Sequence, residues 1–145
     1  MSDMIPPDQG RIVTVRPANP AVGDEITIQQ PSGVRWRVTS FIALRVNGVV
    51  AGDRSAVLVI SQGGDVLFRS VATALSIASQ VIWYVWSAGS NPLSGTGQAQ
   101  RGGVLPNRLL VNDQTKFETD VWSADAGDQW SDIVLMVEEW MEPLA

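Results

Sequence analysis

Four Gly-Asp pairs, Gly23-Asp24, Gly52-Asp53, Gly64-Asp65 and Gly127-Asp128, divide this chain into short apolar runs. Each stands just ahead of one, at residues 26–28, 56–60, 66–68 and 133–137. Glycine reaches positive φ without a Cβ clash, and an aspartate carboxylate bonds nearby backbone, so the pair makes tight turns. Turns alternating with short β-branched and aromatic runs specify an all-β domain. The aspartates are also potential ligands. A strand downstream of each pair, without metal-binding spacing, favours the turn reading. Asp128 stands apart because it also belongs to the acidic cluster near the C-terminus.

The 145 residues suit one domain with a real core. Residues 1–10, with Pro6 and Pro7, read as an extended arm, and residues 11–145 as a single sandwich. Strands are expected at 12–15, 25–29, 35–46, 56–60, 75–86, 108–111, 116–122 and 132–139, giving eight or nine in all. Pro17 and Pro20 break the first, and Pro31-Ser32-Gly33 ends the second. In the third, Trp36, Val38, Ser40, Ile42, Leu44 and Val46 form the mostly apolar, buried face, with Arg35, Arg37, Thr39 and Arg45 opposite. Residues 87–107 read as one long loop rich in Gly, Ser, Asn and Gln. Its stretch Gly95–Gly103 lacks the Gly-Lys-Ser/Thr ending of a phosphate-binding loop. The architecture that fits is a two-sheet antiparallel β-sandwich, jelly-roll-like.

Three of these strands, at 56–60, 81–86 and 133–137, are apolar at every position. An antiparallel sandwich normally shows a polar outer face, so such strands need a second cover. A neighbouring subunit is the simplest one, and a homo-oligomer is expected.

The chain has no cysteine and no histidine, and only one lysine (Lys116) and one tyrosine (Tyr84). Disulfides, thiolate sites and the usual neutral-pH general base are excluded. A carboxylate-only mechanism is the surviving catalytic option. Nothing singles out a pair among the fifteen acids. No enzyme activity, metal or cofactor is therefore expected. In particular, Asp125-Ala126-Gly127-Asp128 matches no EF-hand spacing. No apolar stretch is long enough for a membrane helix, and the N-terminus lacks a signal peptide's basic start and apolar core. A cytoplasmic start is expected. Residues 1–111 carry nine arginines against six acids, whereas residues 112–145 carry Lys116 against nine acids. That is no nucleic-acid footprint. It allows head-to-tail attraction between copies, against the plainer reading of two solvated sets.

Of the six tryptophans, Trp36, Trp83 and Trp140 lie in strongly apolar strands and read as core or interface. Trp86 and Trp130, at strand ends, are the candidate sugar-stacking platforms. Glu138 and Glu139 are adjacent in the last strand, so one of them points inward or across an interface, or both are simply exposed at a strand end. An inward glutamate needs an arginine, with Arg35, Arg37 and Arg45 as candidates.

The order of signals carries a resemblance. It runs from Pro31-Ser32-Gly33-Val34-Arg35-Trp36-Arg37-Val38 through a Gly/Ser-rich loop to Leu105-Pro106 and Leu109-Leu110-Val111. It continues with Ala126-Gly127-Asp128-Gln129-Trp130-Ser131 and ends at Val137-Glu138-Glu139-Trp140. This resembles small β-sandwich structural proteins of tailed bacteriophages, over residues 23–140. The resemblance implies a virion protein assembled in the host cytoplasm, of the capsid decoration (cement) type, and carries over no active-site residue. Its expected partners are further copies of itself, as a trimer matching threefold capsid positions, and the major capsid protein. Nucleic acid and membrane are not expected partners. Candidate contact residues are Met4, Ile5, Pro6, Pro7, Trp83, Trp86, Trp130 and Trp140. The alternative is a carbohydrate-binding or host-recognition module on the virion, using Trp86, Trp130 and the 87–107 loop.

Overall fold

In three of the four Gly-Asp pairs the glycine takes the positive φ expected of it. A computed structural model describes residues 10–88, 100–107 and 109–141. In it Gly23, Gly52 and Gly64 have φ of 86°, 142° and 91°, conformations that L side chains rarely adopt. Gly64, with Gly63 at φ 58°, closes a tight hairpin. The fourth pair departs from this pattern: Gly127 has no positive φ, and Asp128 is 1% exposed.

The described residues form ten strands and no helix. In chain order they are β1 (Arg11–Val15), β2 (Thr27–Gln29), β3 (Val34–Val46), β4 (Ser55–Gln62), β5 (Asp65–Val71), β6 (Val81–Ala88), β7 (Gln100–Leu105), β8 (Leu110–Val111), β9 (Thr115–Trp122) and β10 (Gln129–Met141). One sheet runs β1-β10-β3-β6-β7, with β8 also on β3, and the other runs β2-β9-β4-β5. Setting aside β7 and β8, the first and last strands pair, then the second and second-last, and the third and sixth lie beside the outer pair in one sheet. That is the jelly-roll arrangement of two four-stranded sheets. β7 and β8 are additions between the sixth and seventh framework strands. We call the sheet holding β3 sheet A and the other sheet B.

Three expectations are corrected. The long strand at 75–86 starts only at Val81: Ser79 is at φ 60° in a turn, and Leu75 and Ile77 are half-exposed on either side of Ser76, which bridges to Arg54. The 87–107 loop is shorter, because β6 runs to Ala88 and Gln100–Leu105 pairs with β6 in parallel. Gly103 sits in that strand opposite Trp86 because the absence of a Cβ lets the backbone close on the indole. The loop's residues 89–99 and the arm's Met4, Ile5, Pro6 and Pro7 lie outside the described residues.

The third correction has the largest consequences. In β3 the even positions face the core only as far as Val38; beyond it Phe41, Ala43 and Arg45 do. Val38 pairs with Val137 and Ser40 with Met136, so Thr39 is one residue too many on β3. This is a β-bulge, and it inverts the strand's inside and outside. The Thr39 hydroxyl donates to the Met136 carbonyl at 2.7 Å, occupying an acceptor at the break. A second irregularity, on β10 between Ser131 and Val134, has Asp132 at φ 49°. It shifts the phase of β10, so that Trp130 as well as Ile133, Leu135 and Val137 faces inward.

Between the sheets lie Trp36, Phe41, Tyr84, Trp86, Trp130 and Leu135 from sheet A, with Ile28, Leu58, Ile60 and Phe117 from sheet B. Trp36 stacks on Phe117 across the gap, with ring centroids 6.2 Å apart. Tyr84 stacks on Trp86 and meets the edge of Trp130. Trp86 and Trp130 are fully buried in their own sandwich. They therefore serve neither as sugar platforms nor as contacts with a neighbour.

Candidate functional site

The Thr39 bulge exports the apolar half of β3. Ile42, Leu44 and Val46 face away from the core and meet outward residues of both neighbouring strands. Val46 pairs with Val81, Leu44 with Trp83, and Ile42 with Val85 on one side and Val134 on the other. Ser40 follows between Ser87 and Met136. The outer face of sheet A is thus an apolar field at the end of the sandwich near Val46. Trp83 is 40% exposed and Val81 54%. Beside Trp83 is a hollow of about 500 Å³, lined by Arg16, Pro17, Asn19, Ile42, Trp83, Asp132, Ile133 and Val134.

The other end of that face is polar. Arg37 pairs with Glu138 at 3.4 Å and lies over the Trp140 ring at 5.0 Å. Glu138 also accepts from the Gly10 amide, at 3.0 Å. Glu139 accepts from Arg11 at 2.7 Å and from the Trp36 indole at 2.9 Å. The arginines that serve the two glutamates are thus Arg37 and Arg11. The Arg11 and Trp36 hydrogen bonds hold the Glu139 carboxyl below its ordinary value despite burial.

Arg45 is instead turned inside by the bulge. Its guanidinium lies 4.8 Å over the Trp130 ring and 2.9 Å from Asp128 Oδ2. Asp128 Oδ2 also accepts from Arg54 Nε at 3.0 Å and from the Asp125 amide at 3.0 Å. Its Oδ1 accepts from the Gly48 amide at 2.7 Å. Arg54 further donates to the Gly52 and Val50 carbonyls. Glu25 lies 3.7 Å from Arg45 and accepts from the Trp130 indole and the Val121 amide. Two cations and two anions balance, and every carboxylate oxygen has a donor. The arrangement is a clasp that fixes the loops before β2, β4 and β10. It has no free nucleophile or base.

Burial raises the Asp128 pKa, but bonds from Arg54 and the Asp125 and Gly48 amides, with the Arg45 charge, outweigh it and hold it well below the ordinary range. A depressed native pKa means stabilisation that is complete above the ordinary value of 3.8 and declines as pH falls below it. Urea midpoints should therefore show an Asp128-dependent loss only below about pH 4, and Asp128→Asn should lack that part of the acid dependence. A variant with an unchanged acid profile would refute the assignment.

The outer face of sheet B differs in character. A groove of about 750 Å³ runs over Val59, Ser61, Arg69, Lys116, Glu118 and Asp120. Trp122, near its end, is 49% exposed, and its indole donates to Asp120 at 3.3 Å. Among the described residues, no group of three or more acids gathers to hold a metal.

Trp83 and Trp140, expected in the core or an interface, both lie on the outer face of sheet A. The sequence put Ile42, Leu44 and Val46 on the buried side, because their alternation gave the right pattern with the wrong phase. Compared with known protein families, curated proteins and solved structures, the chain finds no match.

Proposed function

We propose that this chain is a non-catalytic structural protein of a tailed-phage virion, of the capsid decoration type, acting by association with copies of itself and with the shell. The observation that carries this reading is the apolar outer face of sheet A, formed by Ile42, Leu44, Val46, Val81, Trp83, Val85 and Val134. A contiguous apolar field of this kind marks a contact surface. The jelly-roll frame and the order of sequence signals resembling small phage sandwich proteins support the same reading. The arm, residues 1–10, joins the sandwich at Gly10, whose amide donates to Glu138, and we assign it as a second contact element for the shell.

The test is where the polypeptide sits. In particles purified from the phage or prophage encoding it, the chain should be recovered in stoichiometric amount with the major capsid protein. Deleting residues 1–10 should weaken attachment to heads and leave thermal unfolding nearly unchanged. Recovery only from the soluble lysate would overturn the proposal.

A second reading, recognition of a surface glycan, is favoured by the groove on sheet B with Trp122 at its end. It predicts a change in tryptophan emission on adding polysaccharide, lost in Trp122→Ala. Emission unmoved across a glycan panel would eliminate it.

A further inference from the structure

We infer that the outer face of sheet A is covered by the same face of a second copy, with the Trp83 indole of each seated in the hollow beside Trp83 of the other. This rests on the reading of the chain as a self-associating subunit, and it adds the surface, the anchor and the symmetry. The occupant is identified by what the one face carries. It presents both a half-exposed tryptophan and, adjoining it, a hollow of about 500 Å³ with Ile42, Pro17 and Val134 among its walls. An anchor and its receptor on the same patch make that patch self-complementary, which is the condition for a twofold, isologous contact. Aromatic anchors in central pockets are also where binding energy concentrates.

Charge is compatible with this pairing. The hollow carries Arg16 and Asp132, one of each sign, so two copies meet without net repulsion there. Along β3, β6 and β10 the field is otherwise apolar, and the charged Arg37 and Glu138 sit at its far end, already paired with each other. An apolar centre with a polar rim is the usual anatomy of a specific contact.

The apolar rows lie on three strands, β6, β3 and β10, about 4.8 Å apart, and give a field about 14 Å wide. From Ser40 to Val46 the rows extend roughly 20 Å at about 3.3 Å per residue. The flat apolar footprint is about 280 Å², so the ~800 Å² per partner of a stable interface also requires the walls of the hollow and the polar rim to be covered. The alternative cover, the edge of another sheet, fits less well, because only a face can take both the hollow and the Leu44 and Val46 rows.

The experiment is size measurement by light scattering on the full chain at micromolar concentration, with near-ultraviolet dichroism to verify the fold. The wild-type chain is expected to be a dimer. Trp83→Ala should weaken association roughly thirty-fold or more. It should keep the native dichroism of the buried aromatics, since Trp83 faces outward. Leu44→Asp should separate the copies, and Lys116→Glu, on sheet B, should change nothing. Undiminished association of Trp83→Ala overturns the inference. A trimer that Trp83→Ala dissociates overturns the twofold pairing and leaves self-association standing. A monomeric wild type whose attachment to heads is lost in Trp83→Ala assigns the face to the shell, overturning the inference alone. A wild type that is monomeric and absent from particles overturns both readings.

Discussion

Asp128→Ala is expected to lower stability by about 3–5 kcal/mol, the cost of leaving buried charge without its partner. The carboxylate is 1% exposed and takes donors from Arg45, Arg54, Gly48 and Asp125. Without it, Arg54 keeps only the Val50 and Gly52 carbonyls, and Arg45 keeps Asn47, the Trp130 ring and Glu25 at 3.7 Å. Of the two buried cations, only Arg45 would then have a carboxylate within reach, the partly exposed Glu25. Asp128→Asn should lose less, because it retains one acceptor oxygen, although its amide must face at least one donor. Arg45→Met should also lose less than Asp128→Ala, since Asp128 would keep Arg54 and both amides. Urea denaturation of the three variants checks the order. A loss below about 1 kcal/mol for Asp128→Ala would mean that water replaces the clasp, and the structural role assigned to it would be wrong.

Much of the architecture was legible because its signals are local. Glycine at positive φ and period-two alternation depend only on neighbours along the chain, so the turns at Gly23, Gly52 and Gly64 and most strands follow from the sequence. What was illegible depends on partners across the sheet. Thr39 is as plausible a strand residue as Val38, and only the register against Met136 and Val137 makes it a bulge. That one extra residue decides whether Arg45 or Leu44 faces the core. It therefore decides both the buried clasp and the exposed apolar field. The expectation that some strands are apolar on both sides survives this, because it rests on composition and not on phase. The choice of tryptophans does not. Trp86 and Trp130 read as strand-end residues, yet β6 runs on to Ala88, and the shifted phases of β3 and β10 turn Trp130 inward beneath Arg45. The strand Gln100–Leu105 was hidden by its two glycines, which usually weaken a strand.

The second of those glycines, Gly103, leads to the second large effect. Trp86→Ala should cost about 3–5 kcal/mol, as for other buried large-to-small changes in a packed core. The ring is fully buried, stacks on Tyr84 with centroids 5.7 Å apart, and meets Phe41 edge-on at 5.8 Å. Its indole donates to the Ser70 carbonyl at 3.1 Å, tying β6 of sheet A to β5 of sheet B. The indole reaches that carbonyl across Gly103: a Cβ there would collide with Trp86 Cδ1 and Nε1 and come within 2.9 Å of Ser70 Oγ. Gly103→Ala should thus cost about 1–3 kcal/mol by overpacking, with the indole displaced from Ser70. The two changes must then be strongly non-additive. In the Trp86→Ala background the added methyl meets no indole, and the serine hydroxyl can rotate away, so the Gly103→Ala penalty should largely disappear or reverse as the methyl enters the vacated space. A double-mutant cycle in urea reads this directly, with a coupling of at least about 1 kcal/mol expected between residues in contact. Additive losses would mean that Gly103 is needed for its backbone freedom and not for the space it leaves to Trp86.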